Sequence, residues 1–119
     1  MPNQFGVPEI SVQEVVSKRE ANESFILLDV REAHELQIAN LGDGILHVPL
    51  SQIAHQREGA FSEEFAQDKD AEIVVFCHHG ARSAQVAAFL RQEGWTNVLN
   101  MNGGIDAYSI AVDSSIRRY

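Results

Sequence analysis

The stretch Ile73-Val74-Val75-Phe76-Cys77-His78-His79-Gly80-Ala81-Arg82-Ser83 decides how the rest of the chain is read. Glu72 to Cys77 is the clearest strand in the sequence, because β-branched and aromatic residues follow one another without a polar break. Such a run fits a strand covered on both faces, as in a parallel sheet. A short loop with one glycine follows, and a helix begins at about Arg82. Val86, Ala87, Phe89 and Leu90 give that helix its buried face up to Glu93, and Gly94 stands at the C′ position where a helix ends.

The pattern repeats outward from this unit. Ser24 to Val30 is a second near-continuous apolar run, followed by a short helix over Arg31 to Ile38. Gly42-Asp43-Gly44 marks a turn, and Ile45 to Val48 is a short strand ended by Pro49. Residues 51–70 are polar, with Ile53, Phe61 and Phe65 as anchors, and fit two short helices. Val98 to Met101 is a further strand, and Gly103-Gly104 turns the chain into a last helix over about Ile105 to Val112. Upstream, residues 1–8 read as an irregular lead-in, and Ser11 with Glu14 forms a capping-box pattern ahead of Val12, Val15 and Val16. Strands alternating with helices predict an α/β fold: a mostly parallel central sheet of about five strands with helices on both faces. No internal boundary is visible, so residues 1–119 are expected to form one domain.

Charge narrows the partners. Seventeen acidic residues against nine Lys and Arg give a formal net charge of −8. A nucleic-acid partner is not expected, because binding phosphates needs clustered cations. Docking on anionic lipid is disfavoured for the same reason. One cysteine permits no internal disulfide. The N-terminus has no basic segment followed by a long apolar run, so no signal peptide is read, and a cytoplasmic location is expected.

Cys77 ends a buried strand at the point where open α/β sheets place their sites. The N–H groups at the start of the following helix lack intrahelical partners and favour an anion. Arg82 adds a permanent positive charge. Together they favour the thiolate, the nucleophilic form of Cys77. An inert core cysteine is the competing interpretation, but a tight polar loop with an arginine is poor company for a residue that only packs.

The loop Cys77 to Ser83 resembles the active-site loop of rhodanese-domain proteins, in which cysteine opens the loop and Gly-x-Arg-Ser closes it. Leu28-Asp29-Val30-Arg31-Glu32, with Glu35-Leu36, is similar to that family's first strand-to-helix signature. Asn102-Gly103-Gly104-Ile105-Asp106-Ala107-Tyr108 resembles its closing Gly-Gly motif, with Tyr108 where tryptophan is common. The stretch Ala39 to Gly44 departs from the family pattern by lacking its usual histidine and proline. The tail Val112 to Tyr119 is similar to rhodanese domains fused to enzymes that adenylate ubiquitin-like sulfur carriers.

The resemblance implies a three-layer rhodanese-like fold and a thiosulfate-type sulfurtransferase. Cys77 would carry sulfur as a persulfide, with no other cofactor and no metal. The loop residues His78, His79, Gly80, Ala81, Arg82 and Ser83 would bind the persulfide and the substrate. Arg82 would support the anionic sulfur directly or by fixing the loop, and Ser83 is expected to cap the helix. Asp29 and Arg31 are candidates for site support, with structural pairing at the strand edge as the leading interpretation. The implied partners are a small sulfur donor and a thiophilic acceptor (cyanide, a thiol or a protein), with a sulfur-carrier protein or cysteine desulfurase as further candidates. A relay or binding module for a protein acceptor is the alternative. A phosphatase or arsenate reductase ranks last. Related phosphatases have five residues between cysteine and arginine, and here there are four.

Overall fold

The computed structural model describes residues 3–119. Five strands form one parallel sheet: β1 (Glu9–Ile10), β2 (Ile26–Asp29), β3 (Ile45–His47), β4 (Ile73–Phe76) and β5 (Val98–Met101). Their order across the sheet is β1-β5-β4-β2-β3. The helices are α1 (Val12–Glu20), α2 (Ala33–Ile38), α3 (Leu50–Gln56), α4 (Glu63–Gln67), α5 (Ala81–Gln92) and α6 (Gly104–Ala111), with a 3₁₀ turn at Arg57–Ala60. Among the described residues no helix is long and apolar enough to cross a membrane.

β4 is the central strand, and its alternation explains the unbroken apolar run. Ile73, Val75 and Cys77 face one layer with Leu28, Val30, Ile53, Phe65, Val86 and Leu90. Val74 and Phe76 face the other with Val15, Leu27, Met101 and Ile105. A strand buried on both faces has no position left for a polar residue. Helices α3, α4 and α5 therefore cover one side, while α1 and α6 cover the other.

The expected elements are present with boundaries shifted by one or two residues. The Ser11–Glu14 capping box forms as read: Ser11 Oγ accepts from Glu14 N at 3.1 Å and Ser11 N donates to Glu14 Oε1 at 3.4 Å. Of the irregular lead-in expected over residues 1–8, the first two lie outside the described residues. Strand β1 has no signature in the sequence. Two residues are too short to show a period, and the strand exists only because Glu9 and Ile10 pair with Asn100 and Met101 of β5. α5 starts at Ala81 after Gly80, whose φ of 107° lies in the left-handed region that favours glycine. Ser83 is therefore the third residue inside the helix and does not cap it, which corrects the expectation for that side chain.

Candidate active site

Cys77 follows the last residue of β4 and is 1% exposed, yet its sulfur is not sealed in hydrocarbon. Sγ accepts from Gly80 N at 3.1 Å and from Ser83 N at 3.4 Å. Ser83 Oγ lies 3.3 Å from it. The loop bends over the sulfur because Gly80 takes a positive φ and turns the chain directly into α5. Converging main-chain donors at a helix start form an anion-binding nest.

The loop is held from behind by α6. Ile105 N donates to Cys77 O at 2.9 Å, and Asp106 N donates to His78 O at 3.1 Å. Two orphan donors of α6 thus satisfy two loop carbonyls. This close approach explains the second glycine of the pair: a Cβ on Gly104 would overlap the carbonyl oxygens of Cys77 and His78. The same residue has a φ of 64°.

Arg82 points away from the direct role that sequence reasoning allowed it. Nη1 and Nη2 donate to Glu35 Oε2 and Oε1 at 2.7 and 2.8 Å. Both terminal nitrogens of the guanidinium are engaged by one carboxylate, so the charge of Arg82 acts on the site while its geometry ties α5 to α2. The Arg82 hydrogen bonds hold the Glu35 carboxyl down at about 2. The same two hydrogen bonds, accepted by Glu35, raise Arg82 further. Glu35 also accepts from Glu32 N at 2.8 Å and from the Tyr119 hydroxyl at 3.0 Å.

Asp29 and Arg31 form a second buried pair, 1% and 0% exposed. Arg31 Nη2 donates to Asp29 Oδ2 at 2.7 Å, and Arg31 Nε and N both donate to Asp29 Oδ1 at 3.0 Å. The pair braces the end of β2, beside the end of β4. Arg31 Nη1 also donates to the Tyr119 hydroxyl at 3.1 Å.

The two loop histidines lie on the outer side. His78 stacks on Tyr119 with ring centroids 3.7 Å apart and planes at 3°. Burial lowers its proton affinity, and the neighbouring His79 adds to the effect. His79 is exposed and lies 3.8 Å from Asp106. Their amides make no hydrogen bond to Sγ; those bonds come from Gly80 and Ser83.

Four residues that surround the loop are not marked as its contacts by the sequence: Glu9, Glu35, Asn100 and Tyr119. Glu35 stands 47 residues from Arg82 and Tyr119 stands 84 from Glu35, separations that only folding closes. Asn100 did carry a signal. A polar residue between Leu99 and Met101, in a strand otherwise apolar, must find partners when buried.

Residues 11–111 match the family model described as Rhodanese-like domain. The chain belongs to the rhodanese-like domain family. A protein named Sulfurtransferase from Allochromatium vinosum is 32% identical over 103 residues, covering 87% of this rhodanese-like chain and 89% of its own length. A Rhodanese-like/PpiC domain-containing protein 12, chloroplastic, from Arabidopsis thaliana is 36% identical over 118 residues. The match covers 95% of this chain but only 38% of that protein. Among solved structures, a rhodanese-related protein from Thermoplasma volcanium superposes with a TM-score of 0.70 at 25% identity, covering 88% of this chain and 93% of that one. The five-stranded parallel sheet with helices on both faces is therefore a rhodanese-like fold.

Proposed function

We propose that this rhodanese-like protein is a sulfurtransferase that uses Cys77 as its nucleophile. The observation that carries the reading is the pair of main-chain N–H groups, from Gly80 and Ser83, aimed at Sγ from 3.1 and 3.4 Å. They favour negative charge on that sulfur, whether it is a thiolate or the inner atom of a persulfide.

The chemistry runs in two displacements. The Cys77 thiolate attacks the outer sulfur of thiosulfate, the S–S bond of the donor breaks, and sulfite departs with the bonding pair. The outer sulfur of the resulting Cys77 persulfide is then attacked by a thiophilic acceptor such as cyanide, a thiol or a carrier protein, and the thiolate leaves again. No dedicated general base is assigned, because Cys77 reacts as its thiolate, which the loop donors favour, and sulfite is a good leaving group. Gly80, Ala81 and Ser83 shape the cradle, His78 and His79 border its mouth, and Arg82 acts through the field and through the brace to Glu35.

Phosphate-ester hydrolysis fits less well. Arginine in such sites presents two N–H groups to phosphate oxygens. Here both terminal nitrogens of Arg82 are committed to Glu35.

Thiosulfate:cyanide transfer by wild type and Cys77→Ser tests the reading. Transfer is expected in wild type and none in the variant, and equal rates would overturn the assignment of the nucleophile. Intact mass after thiosulfate treatment should show roughly 32 Da added, one sulfur atom, on Cys77.

A further inference from the structure

Behind the loop, on the side away from Arg82, lies a chain of hydrogen bonds that the sulfur-transfer scheme leaves unused. Asn100 Nδ2 donates to Glu9 Oε2 at 2.5 Å and to Gly80 O at 3.1 Å. A carboxylate and a carbonyl only accept. The amide nitrogen must therefore face them, and the orientation of Asn100 is set without ambiguity. Oδ1 is left facing Ser83 Oγ at 2.5 Å. Two oxygens that close require a hydrogen between them, and only Ser83 has one to give.

A hydroxyl carries a single hydrogen. While it is given to Asn100, Ser83 Oγ turns lone pairs toward Cys77 Sγ, 3.3 Å away. Oγ can then accept from a thiol S–H but has nothing to donate to a thiolate. Asn100 and Ser83 are 2% and 0% exposed, so bulk water does not stand in for either partner.

We infer that Asn100, anchored by Glu9, is a positioning residue that withholds the Ser83 hydroxyl from the Cys77 sulfur and so moderates the reactivity of the thiol. Two main-chain donors serve the thiolate at all times. The Ser83 hydroxyl is a third, reserved donor that reaches sulfur only by turning away from Asn100. The register that pairs Glu9 of β1 with Asn100 of β5 puts the anchor beside the amide it holds.

The inference deepens the proposed role of Cys77 and rests on it, so its test reads the thiol directly and does not depend on sulfur transfer. The second-order rate of Cys77 alkylation by iodoacetamide at neutral pH, followed by intact mass, is compared among wild type, Asn100→Leu, Ser83→Ala and the double variant. Asn100→Leu frees the hydroxyl and is expected to react about 3- to 10-fold faster, since each 1.4 kcal/mol of donor energy is about tenfold. Asn100→Leu in the Ser83→Ala background is expected to give no gain. The same gain in both backgrounds would mean a merely loosened loop and would overturn the inference, as would unchanged or slower alkylation of Asn100→Leu alone. Should Asn100→Leu not fold, Glu9→Ala at the sheet edge releases the same amide. Its gain should shrink at least twofold when Ser83 is alanine, and an undiminished gain overturns the proposal equally. Normal alkylation behaviour with no thiosulfate turnover would instead count against the proposed function and leave this inference standing.

Discussion

Arg82 and Glu35 meet as a two-point ion pair, at 2.7 and 2.8 Å, that locks the start of α5 onto α2. The side chains are 33% and 8% exposed. The loop from Cys77 to Ser83 is thus held between two fastenings: this pair in front and the first turn of α6 behind.

Glu35→Gln should weaken the front fastening. Removing one partner of a buried pair typically costs about 3–5 kcal/mol. Arg82 is a third exposed and can recover hydration, so about 1–3 kcal/mol is expected. Chemical denaturation measures it, and a loss below about 0.5 kcal/mol would mean that the pair contributes little. Sulfur transfer should fall as well, because the loop carrying Gly80 and Ser83 loses its brace.

The same pair gives an acid limb to stability. Glu35 ionises at about 2 in the folded chain against an ordinary 4.5. A depressed carboxyl contributes stability that is complete above the unfolded value and is lost as pH falls toward the folded one. Wild type should therefore lose this contribution between about pH 4.5 and 2. The stability gap between wild type and Glu35→Gln should narrow over that window, and a constant gap would assign the acid sensitivity to other carboxylates.

Gly104→Ala tests the rear fastening. The methyl would overlap the Cys77 and His78 carbonyls, and φ is 64°. Strain of about 1–2 kcal/mol for the left-handed backbone adds to an overpacking cost of about 1–3 kcal/mol. Gly42→Ala is the control, since Gly42 has a φ of 88° but nothing within 4 Å of its added Cβ. The Gly104 variant should lose about 2–5 kcal/mol and most sulfur transfer, the Gly42 variant about 1–2 kcal/mol and little activity. Equal losses would show that backbone strain alone, not the contact with the loop, demands glycine.

Tyr119→Phe removes a hydroxyl that donates to Glu35 and accepts from Arg31. Both partners keep other hydrogen bonds, so a loss of about 1 kcal/mol is expected, a fall in Tm of roughly 3–6 °C for a chain this size. The ring still stacks on His78. An unchanged Tm would show that the tail rests on the site without holding it.

Much of the architecture was legible because its cause is local. The buried run Ile73 to Phe76, the amphipathic stripe of α5 and the Ser11–Glu14 box each express a rule that acts within a few residues. Cys77 could be placed at a strand tip for the same reason. Strand β1 was not legible, since two residues carry no period and gain strand form only from the neighbour they pair with. Ser83 resembles a cap because it is a serine near a helix start, but the true start is set by the backbone of Gly80.

The amino-acid sequence by itself determined the alternation of strands and helices, the position of the thiol and the glycines that allow the loop its turn, because these depend on propensity, period and backbone freedom over short spans. Only the tertiary structure decided that Arg82 serves Glu35, that α6 grips the loop carbonyls, and that Glu9 and Asn100 stand behind Ser83. Those relationships join residues 47, 28 and up to 91 positions apart. A directional hydrogen bond is settled only when packing brings donor and acceptor to within about 3 Å.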